Sequence, residues 1–157
     1  MKNKIFDCIT FFRENLITNL RFDILNDYVD YFIVCESLYD HRGNKKKINF
    51  KIDNKKLKEK IIHIVIKEKF NTTDPWKAQA LQREYIFNGI KNADDNDYIM
   101  FSDPDEIPNP EILKKIILKK NMVFLCKVAF VINLIYSIST KLHGKVQEFV
   151  KKRILHL

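Results

Sequence analysis

Glycine and proline are scarce in this sequence, which has three glycines and four prolines among 157 residues. So few turn-forming residues leave no obvious linker, and a chain of this length fits one folded domain with a sizeable core. A glycine-rich phosphate loop is also missing, because the first strand-like run leads into FFRENLITN, residues 11–19, without a glycine. That absence argues against a nucleotidyltransferase, an enzyme class that usually carries such a loop near its N-terminus.

Cysteines and long apolar runs are equally few. Cys8, Cys35 and Cys126 lack the spacing of a metal site or a redox pair, so reduced and buried thiols in a cytosolic protein are expected. The N-terminus becomes acidic at Asp7 after a very short apolar stretch, unlike a signal peptide. The tail has an apolar core of about fifteen residues interrupted by Lys127, short of the ~20 that a membrane span needs. We expect a cytoplasmic protein, with the inner face of the membrane as the alternative location.

Positive charge is in excess, with a net charge of +8. Residues 121–157 carry six basic side chains and one acid, and the remaining excess lies mostly in NKKK, residues 44–47, and NKKLKEK, residues 54–60. No aromatic residues alternate with these lysines as a stacking platform for nucleic acid would require. A solvated lysine-rich surface is therefore expected, and no nucleic-acid partner. Peripheral attachment to a membrane through the basic tail stays open as a non-catalytic alternative.

Apolar strand-like runs alternate with amphipathic segments along the chain. The strand-like runs are KIFDCITFF (4–12), YFIVCES (31–37), IIHIVI (61–66) and YIMFSD (98–103). The helical segments are ENLITNLRFDILNDYV (14–29), DPWKAQALQREYIFNGIKNA (74–93) and NPEILKKIILKK (109–120). Strands separated by helices predict an α/β fold with a mainly parallel sheet and helices on both faces.

Two helical segments carry specific signals. In the first, the recurrence of Leu16, Leu20, Ile24 and Val29 is close to the helical period. In the second, Asp74 is suited to the N-cap, with Pro75 in the first turn.

Three acids crowd into four residues directly after the last predicted strand: Asp103, Asp105 and Glu106. Residues i and i+2 of an extended segment point the same way, and Pro104 biases Asp103 toward extended geometry. Two carboxylates on one side of a strand end suit Mg²⁺ or Mn²⁺, which keeps waters and shares substrate phosphates. The alternative is a loop before a helix, where Asp105 or Glu106 only favours the helix dipole.

Several segments in order resemble glycosyltransferase family 17, the family of the β-1,4-mannosyl-glycoprotein 4-β-N-acetylglucosaminyltransferases and their bacterial relatives. The segments are FDCITFFRENLITNLRFDILNDYVDYFIVCES (6–37), HRGNKK (41–46), KIIHIVI (60–66), PWKAQALQREYIFNGI (75–90) and DYIMFSDPDEIP (97–108). The resemblance covers about residues 4–118. It implies a GT-A-like fold, a UDP-sugar donor such as UDP-N-acetylglucosamine, a glycan or lipid-linked oligosaccharide acceptor, and inversion at the anomeric carbon.

The resemblance also implies roles for individual residues. Asp103 and Asp105 correspond to the metal-binding pair, with Glu106 beside them, and Asp103 also serves the nucleotide-sugar. Other positions that match the family's pattern are Glu36 and Ser37 at the end of the second strand, His41 and Gly43 in the loop after it, and Trp76, Gln82 and Arg83 on the second helix. Glu36, Ser37 and Arg83 are expected to bind the nucleotide-sugar. Asp40, Ala78 and Gln79 depart from the pattern.

Each candidate also has a structural interpretation. Near a helix start, Trp76 is more often a core anchor than a stacking surface for uracil. Arg83 could pair with an acid on the protein surface instead of a diphosphate. Asp7 needs a partner within its apolar strand, either a nucleotide or a buried cation. His63, in another apolar strand, is expected to be a satisfied core histidine.

The tail sets the expected boundaries: residues 1–120 form the N-terminal part of the transferase domain, and residues 121–157 are atypical. Shifted by one frame, the codons of HGKVQEFVKK (143–152) permit a W-x-G pattern typical of the family, and the codons for 119–121 could form a slippery run of adenines. We therefore expect out-of-frame translation after residue 120 and a sheet that is incomplete on its C-terminal side. The catalytic residue is then unknown, because the general base for inversion would lie in the missing half. A nucleotidyltransferase or a nucleotide-sugar hydrolase is the enzymatic alternative.

Overall fold

The computed structural model describes residues 3–94, 97–111 and 113 of the chain. Met1–Pro110 forms one compact unit, which contains the strands and helices described below. A second unit, Glu111–Leu157, lies almost wholly outside the described residues. The predicted tail over 121–157, including Cys126, lies outside them, as does most of the predicted helix over 109–120.

The unit is built on a four-stranded parallel sheet in the order β3-β2-β1-β4. Its strands are β1 (Ile5–Phe11), β2 (Tyr31–Ser37), β3 (Ile61–Ile66) and β4 (Tyr98–Ser102). All four fall on the predicted apolar runs, whose β-branched and aromatic side chains fit a pleated surface buried on both faces. The predicted α/β fold with a parallel sheet and flanking helices is confirmed.

The winding of the chain reverses at β1. From β1 the chain proceeds to β2 and β3 on one side, and then returns across the sheet to place β4 on the other side of β1. Open α/β sheets bind their ligands beyond the carboxyl ends of the strands at such a reversal point. The topology therefore puts the residues that follow β1 and β4 at the place where a ligand is expected.

Two helices connect the strands. Helix α1 (Asn15–Leu25) joins β1 to β2, while α2 (Pro75–Glu84) continues as a 3₁₀ helix, Tyr85–Gly89, on the way from β3 to β4. The side chain of Asp74 accepts a hydrogen bond of 2.9 Å from the Trp76 N–H, and Pro75 occupies the first turn. Both capping predictions are confirmed, because an N-cap oxygen satisfies an otherwise free N–H and proline lacks one.

The apolar stripe that predicts α1 does not face the sheet. Leu16, Leu20 and Ile24 are exposed, whereas Arg21, Phe22 and Leu25 are buried. The helix also ends at Leu25, four residues before Val29, because the chain turns there with the Val29 N–H bonded to the Leu25 carbonyl at 3.0 Å. The segment is thus a helix, as predicted. Its buried face, however, includes the charged side chain of Arg21, which a pattern of apolar residues does not predict.

Apolar cores cover both faces of the sheet. On one face, alternate residues of the strands, including Phe6, Cys8, Ile33, Cys35 and Ile66, pack against the 3₁₀ helix after α2, which contributes Ile86. On the other face, Phe11, Phe22 and Phe32 are fully buried, and the rings of Phe11 and Phe22 meet Phe50 edge-on. Burial raises the pKa of the Cys35 thiol to about 12 and that of Cys8 well above its usual value. Both thiols are therefore protonated and free, as expected.

Gly89 sits where the 3₁₀ helix approaches the sheet most closely. A Cβ atom on Gly89 would lie 2.5 Å from Ile33 Cγ2 and 2.9 Å from Ile64 Cδ1. Gly89→Ala should lower the free energy of unfolding by about 1–3 kcal/mol, because a methyl group must displace packed side chains. Urea unfolding of this variant against exposed Asn88→Ala measures the effect, and equal midpoints for the two variants would contradict the close approach.

Candidate functional site

The predicted site residues cluster at the edge formed by the carboxyl ends of the strands, called here the carboxyl edge. Residues 103–106 follow β4 there and are called here the acidic turn. Gln82, on α2, donates hydrogen bonds to backbone carbonyls at the ends of β1 and β2, so the second half of α2 lies at the same edge. The fold therefore brings together groups that are up to 85 residues apart in sequence.

A buried arginine holds the edge together. Arg21 is 0% exposed, and its guanidinium binds both carboxylate oxygens of Asp7 at 2.7 Å. Its remaining N–H groups reach Ser102 Oγ at 2.7 Å and the carbonyls of Asp103 and Glu106 at 3.1 and 3.0 Å. All five donors of the guanidinium are thus engaged. Of the two partners considered for Asp7, the structure provides the buried cation.

Arg21 was not among the site residues predicted from the sequence. Its signal was present, however, since Arg21 is the only basic residue of α1 and Asp7 is an acid within an apolar strand. A buried carboxylate requires a compensating charge. Because Arg21 grips two carbonyls of the acidic turn, the same ion pair that neutralises Asp7 also fixes the turn against β1 and α1.

The acidic turn is not extended. The Glu106 N–H bonds to the Asp103 carbonyl at 3.0 Å, and Pro104 and Asp105 form the bend between them. The argument that Asp103 and Asp105 point the same way as residues of one extended strand is therefore wrong. Pro104 occupies the second position of a turn, where its fixed φ is favoured.

Asp103 lies beside Arg83. Arg83 Nη2 is 3.3 Å from Asp103 Oδ1, and their side chains are 7% and 42% exposed respectively. The guanidinium carbon of Arg83 also lies 5.6 Å from the centre of the Phe101 ring. Arg83 is buried rather than on the open surface, so the pairing with an acid occurs within the candidate site itself.

The acidic turn also supplies the residues that could hold a divalent cation. Asp103 has one carboxylate oxygen beside Arg83, and exposed Asp105 has no hydrogen bond or ion pair to any described residue. Among residues 3–94, 97–111 and 113, no group of three or more His, Cys, Asp or Glu side chains could enclose a metal ion. Mg²⁺ bound to substrate phosphates is commonly held by one or two carboxylates plus waters. The donor set therefore fits a cation shared with a ligand and not a closed protein cage.

Gln82 and His41 form a second unit at the carboxyl edge. Gln82 Nε2 donates to the carbonyls of Cys35 at 2.9 Å and Phe11 at 3.4 Å, so its Oε1 is the acceptor for His41 Nε2 at 2.9 Å. His41 Nε2 therefore carries a proton, and in the neutral ring Nδ1 is the free acceptor. Two predicted residues, one from a loop and one from α2, thus act together.

Glu36 and Ser37 are buried, which limits what they can touch directly. Glu36 is 0% exposed and accepts hydrogen bonds from Lys46 Nζ at 2.6 Å and from the N–H groups of Asn49 and Phe50 at 2.7 and 3.1 Å. Ser37 Oγ accepts from the Tyr39 N–H at 3.0 Å. With these partners, Glu36 holds the loop after β2 and would influence a ligand only through that loop.

Burial raises the pKa of the Glu36 carboxyl, but its contacts with His63, Lys46 and the two backbone N–H groups outweigh burial and hold the pKa below its usual value. His63 Nε2 lies 3.4 Å from Glu36 Oε2 without the alignment of a good hydrogen bond, so this is mainly an electrostatic contact. The histidine is therefore only partly satisfied, contrary to the prediction.

Trp76 is 77% exposed on the first turn of α2. The prediction that Trp76 is a core anchor is wrong. Its backbone N–H donates to the N-cap side chain of Asp74, but its ring is not buried. No ring or ion contact joins Trp76 to another described residue. The largest apolar side chain of the protein is therefore available to a ligand.

The family model of glycosyltransferase family 17 matches residues 1–143. The chain belongs to glycosyltransferase family 17. No curated protein and no solved structure matches this chain. Membership supports a glycosyltransferase function, with a sugar donor and a glycan acceptor. No helix among the described residues has the length and apolar character of a membrane span.

The family match extends beyond residue 118, where the sequence resemblance was expected to end. The out-of-frame origin expected for residues 121–157 stays a prediction that the nucleotide sequence can test.

Replacing Arg21 separates the ion pair from the turn it holds. Arg21→Met should lower the free energy of unfolding by about 3–5 kcal/mol, because it leaves the buried Asp7 carboxylate unpaired. Adding Asp7→Leu should recover much of that loss, since an apolar pair of similar volume tolerates burial. Urea unfolding measures both, with exposed Arg13→Met as the matched control. No recovery in the double variant would show that the contacts to the turn, and not charge compensation, dominate.

Glu36 should make stability depend on pH. A carboxyl with a lowered pKa in the folded state stabilises the protein above its unfolded pKa, and this contribution is lost as the pH falls below about 4.5. Glu36→Gln should cost about 1–3 kcal/mol at pH 7 and flatten the loss of stability on acidification. Thermal unfolding between neutral and acidic pH measures this. Parallel pH profiles for wild type and Glu36→Gln, with exposed Glu68→Gln as the control, would contradict it.

Proposed function

We propose that this family 17 chain uses a UDP-sugar donor, UDP-N-acetylglucosamine or a related hexose, with a divalent cation, Mn²⁺ or Mg²⁺. The acceptor is a glycan or a lipid-linked oligosaccharide, and the transfer inverts the anomeric carbon. Family membership supports the transfer of a sugar in general. The donor, the cation and the stereochemistry go beyond what membership supports and are part of the proposal.

The observation that carries the proposal is the position of Asp103. It follows β4 at the reversal point of the sheet, beside Arg83 and next to the exposed Asp105. A diphosphate needs positive charge on its oxygens, and a guanidinium can bind two of them at once. Acids that could hold a cation and an arginine that could bind phosphate therefore lie side by side.

Three further residues support this pair in different ways: Arg21, Gln82 and Trp76. Arg21 fixes the carbonyls of the acidic turn, so Asp103 stays in place when its side chain exchanges partners. Gln82 holds the His41 ring through its Nε2–H beside the ends of β1 and β2. The exposed ring of Trp76 offers a face for a base or a sugar to stack on.

The reaction proceeds by attack of an acceptor hydroxyl oxygen on the anomeric carbon. The bond from that carbon to the diphosphate oxygen breaks, UDP leaves with the electron pair, and the hydroxyl proton passes to a general base. A bound cation supplies neutralisation of the charge that grows on the diphosphate. None of the described residues is assigned as the base.

Binding of UDP tests the proposal. UDP should bind in the presence of Mn²⁺, and Asp103→Asn and Asp105→Asn should each weaken that binding by about tenfold or more, because each removes a ligand charge. Isothermal titration calorimetry with and without Mn²⁺ measures the affinity.

The control is Glu68→Gln, which removes an exposed acid without a recorded contact. Equal affinity for UDP in wild type and both aspartate variants would remove the metal assignment. UDP binding that persists without Mn²⁺ but fails in Arg83→Gln would retain the donor and discard the cation. Absence of UDP binding in the wild type would overturn the donor.

A further inference from the structure

An apolar stripe is exposed along α1. Leu16, Leu20 and Ile24 are 86%, 48% and 38% exposed, and their spacing of four residues aligns them along one side of the helix. Three adjacent aliphatic side chains on the surface cost solvation free energy and mark a contact site more often than scattered ones do. Phe12, just before the helix, is also exposed and extends the apolar surface toward the carboxyl edge.

A lysine-rich segment lies beside this stripe. The Asn15 side chain donates to the Asn49 carbonyl at 2.7 Å and accepts from the Lys51 N–H at 2.8 Å. One turn later, Asn19 donates to the Lys51 carbonyl at 3.0 Å and accepts from the Asp53 N–H at 2.9 Å. These four bonds fasten residues 49–53 along α1. Each asparagine precedes a stripe residue in sequence, so the segment lies along the side of α1 that is about 100° around the helix axis from the stripe.

The fastened segment belongs to a strongly basic stretch. Residues 45–58 contain seven lysines and one acid. Six of these lysines are exposed: Lys45, Lys47, Lys51, Lys55, Lys56 and Lys58. Lys46 is not among them because Glu36 binds it. Acids close to this surface are Asp53, Glu59 next to Lys58, Asp23 on α1, and Glu14 just before α1, the last of which accepts from two backbone N–H groups. The net charge of this surface is therefore positive.

We propose that α1 and residues 45–58 together form a docking surface for an anionic lipid bilayer. Aliphatic side chains in one row insert at the boundary between headgroups and acyl chains, while lysines beside them bind the negatively charged headgroups. Lysine is suited to this position because its long stem lies along apolar material and its ammonium reaches the phosphates. The charges and the apolar row lie on adjacent sides of α1, so one anionic surface can contact both.

The position of this surface also bears on the acceptor, a point that rests on the proposed function. Helix α1 begins four residues after the carboxyl end of β1, and Arg21 in its middle binds the carbonyls of the acidic turn, so α1 lies directly against the candidate site. Docking through α1 would hold the carboxyl edge close to the membrane. A lipid-linked acceptor fits that placement better than a soluble glycan.

Vesicle co-sedimentation of the full chain tests the docking surface, without nucleotide or sugar. The probes are vesicles of phosphatidylcholine with about one third phosphatidylglycerol, and vesicles of phosphatidylcholine alone. Binding should require the anionic lipid and weaken with salt. Replacing Lys47, Lys51 and Lys55 by Gln should lower the partition coefficient by about tenfold or more. The pair Leu16→Ser and Leu20→Ser should lower it to a similar degree, and circular dichroism checks that the variants are folded.

Matched controls lie elsewhere on the protein: exposed Lys67 and Lys91 replaced by Gln, and exposed Ile62 replaced by Ser. These should bind like the wild type. Because Trp76 is the single tryptophan, fluorescence adds an independent readout. Leu20→Trp in a Trp76→Phe background should shift its emission to the blue on vesicles, whereas the wild type should not.

Three results would overturn the docking surface: no binding by the wild type, equal binding to both kinds of vesicle, or binding that the α1 and lysine variants leave unchanged. The last would also assign membrane attachment to another part of the chain. Because the assay contains no UDP or sugar, its failure leaves the proposed transfer reaction untouched. Loss of UDP binding would likewise leave the docking surface standing.

Discussion

The buried ion pair between Asp7 and Arg21 is the contact on which the candidate site depends. It joins the central strand to α1, and its spare N–H groups bind Ser102 and the acidic turn beyond β4. A buried arginine is stable only when its charge is compensated and its donors are satisfied. The compensating acid lies on β1, and the other acceptors lie at the end of β4 or just after it. Arg21 therefore neutralises Asp7 and positions the acidic turn at the same time.

Other buried polar groups at the carboxyl edge work in the same way. Glu36 gathers the loop after β2 through a lysine and two backbone N–H groups, and Gln82 joins two strand ends to His41. The backbone N–H and C=O groups of a loop have no partners in a helix or a sheet. Side chains buried beneath the loop must therefore form hydrogen bonds with those groups. Several residues first considered as ligand contacts thus shape the edge, and the groups left open to a ligand are Asp103, Asp105 and Trp76.

Charge is divided between two parts of the unit. Acids and Arg83 meet at the carboxyl edge, while the exposed lysines are concentrated in the segment fastened along α1. A sugar-nucleotide site and a membrane-facing surface make different electrostatic demands, the first needing local complementarity and the second a broad positive field. Both meet at α1, where Arg21 on the buried side binds the acidic turn and the two asparagines fasten residues 49–53 along the helix.

Periodicity and capping chemistry in the sequence determined the four strands, the start of α2 and the parallel sheet, since these follow from local side-chain patterns. The resemblance to the family also predicted roles for the acids after β4 and identified the family itself. Only the tertiary structure decided which face of α1 is buried, that Trp76 is exposed, and that residues 103–106 turn instead of extending. The buried face of α1 and the turn at residues 103–106 depend on Arg21 meeting Asp7 and the carbonyls of the turn, and contacts between residues 14 to 85 positions apart leave no local pattern.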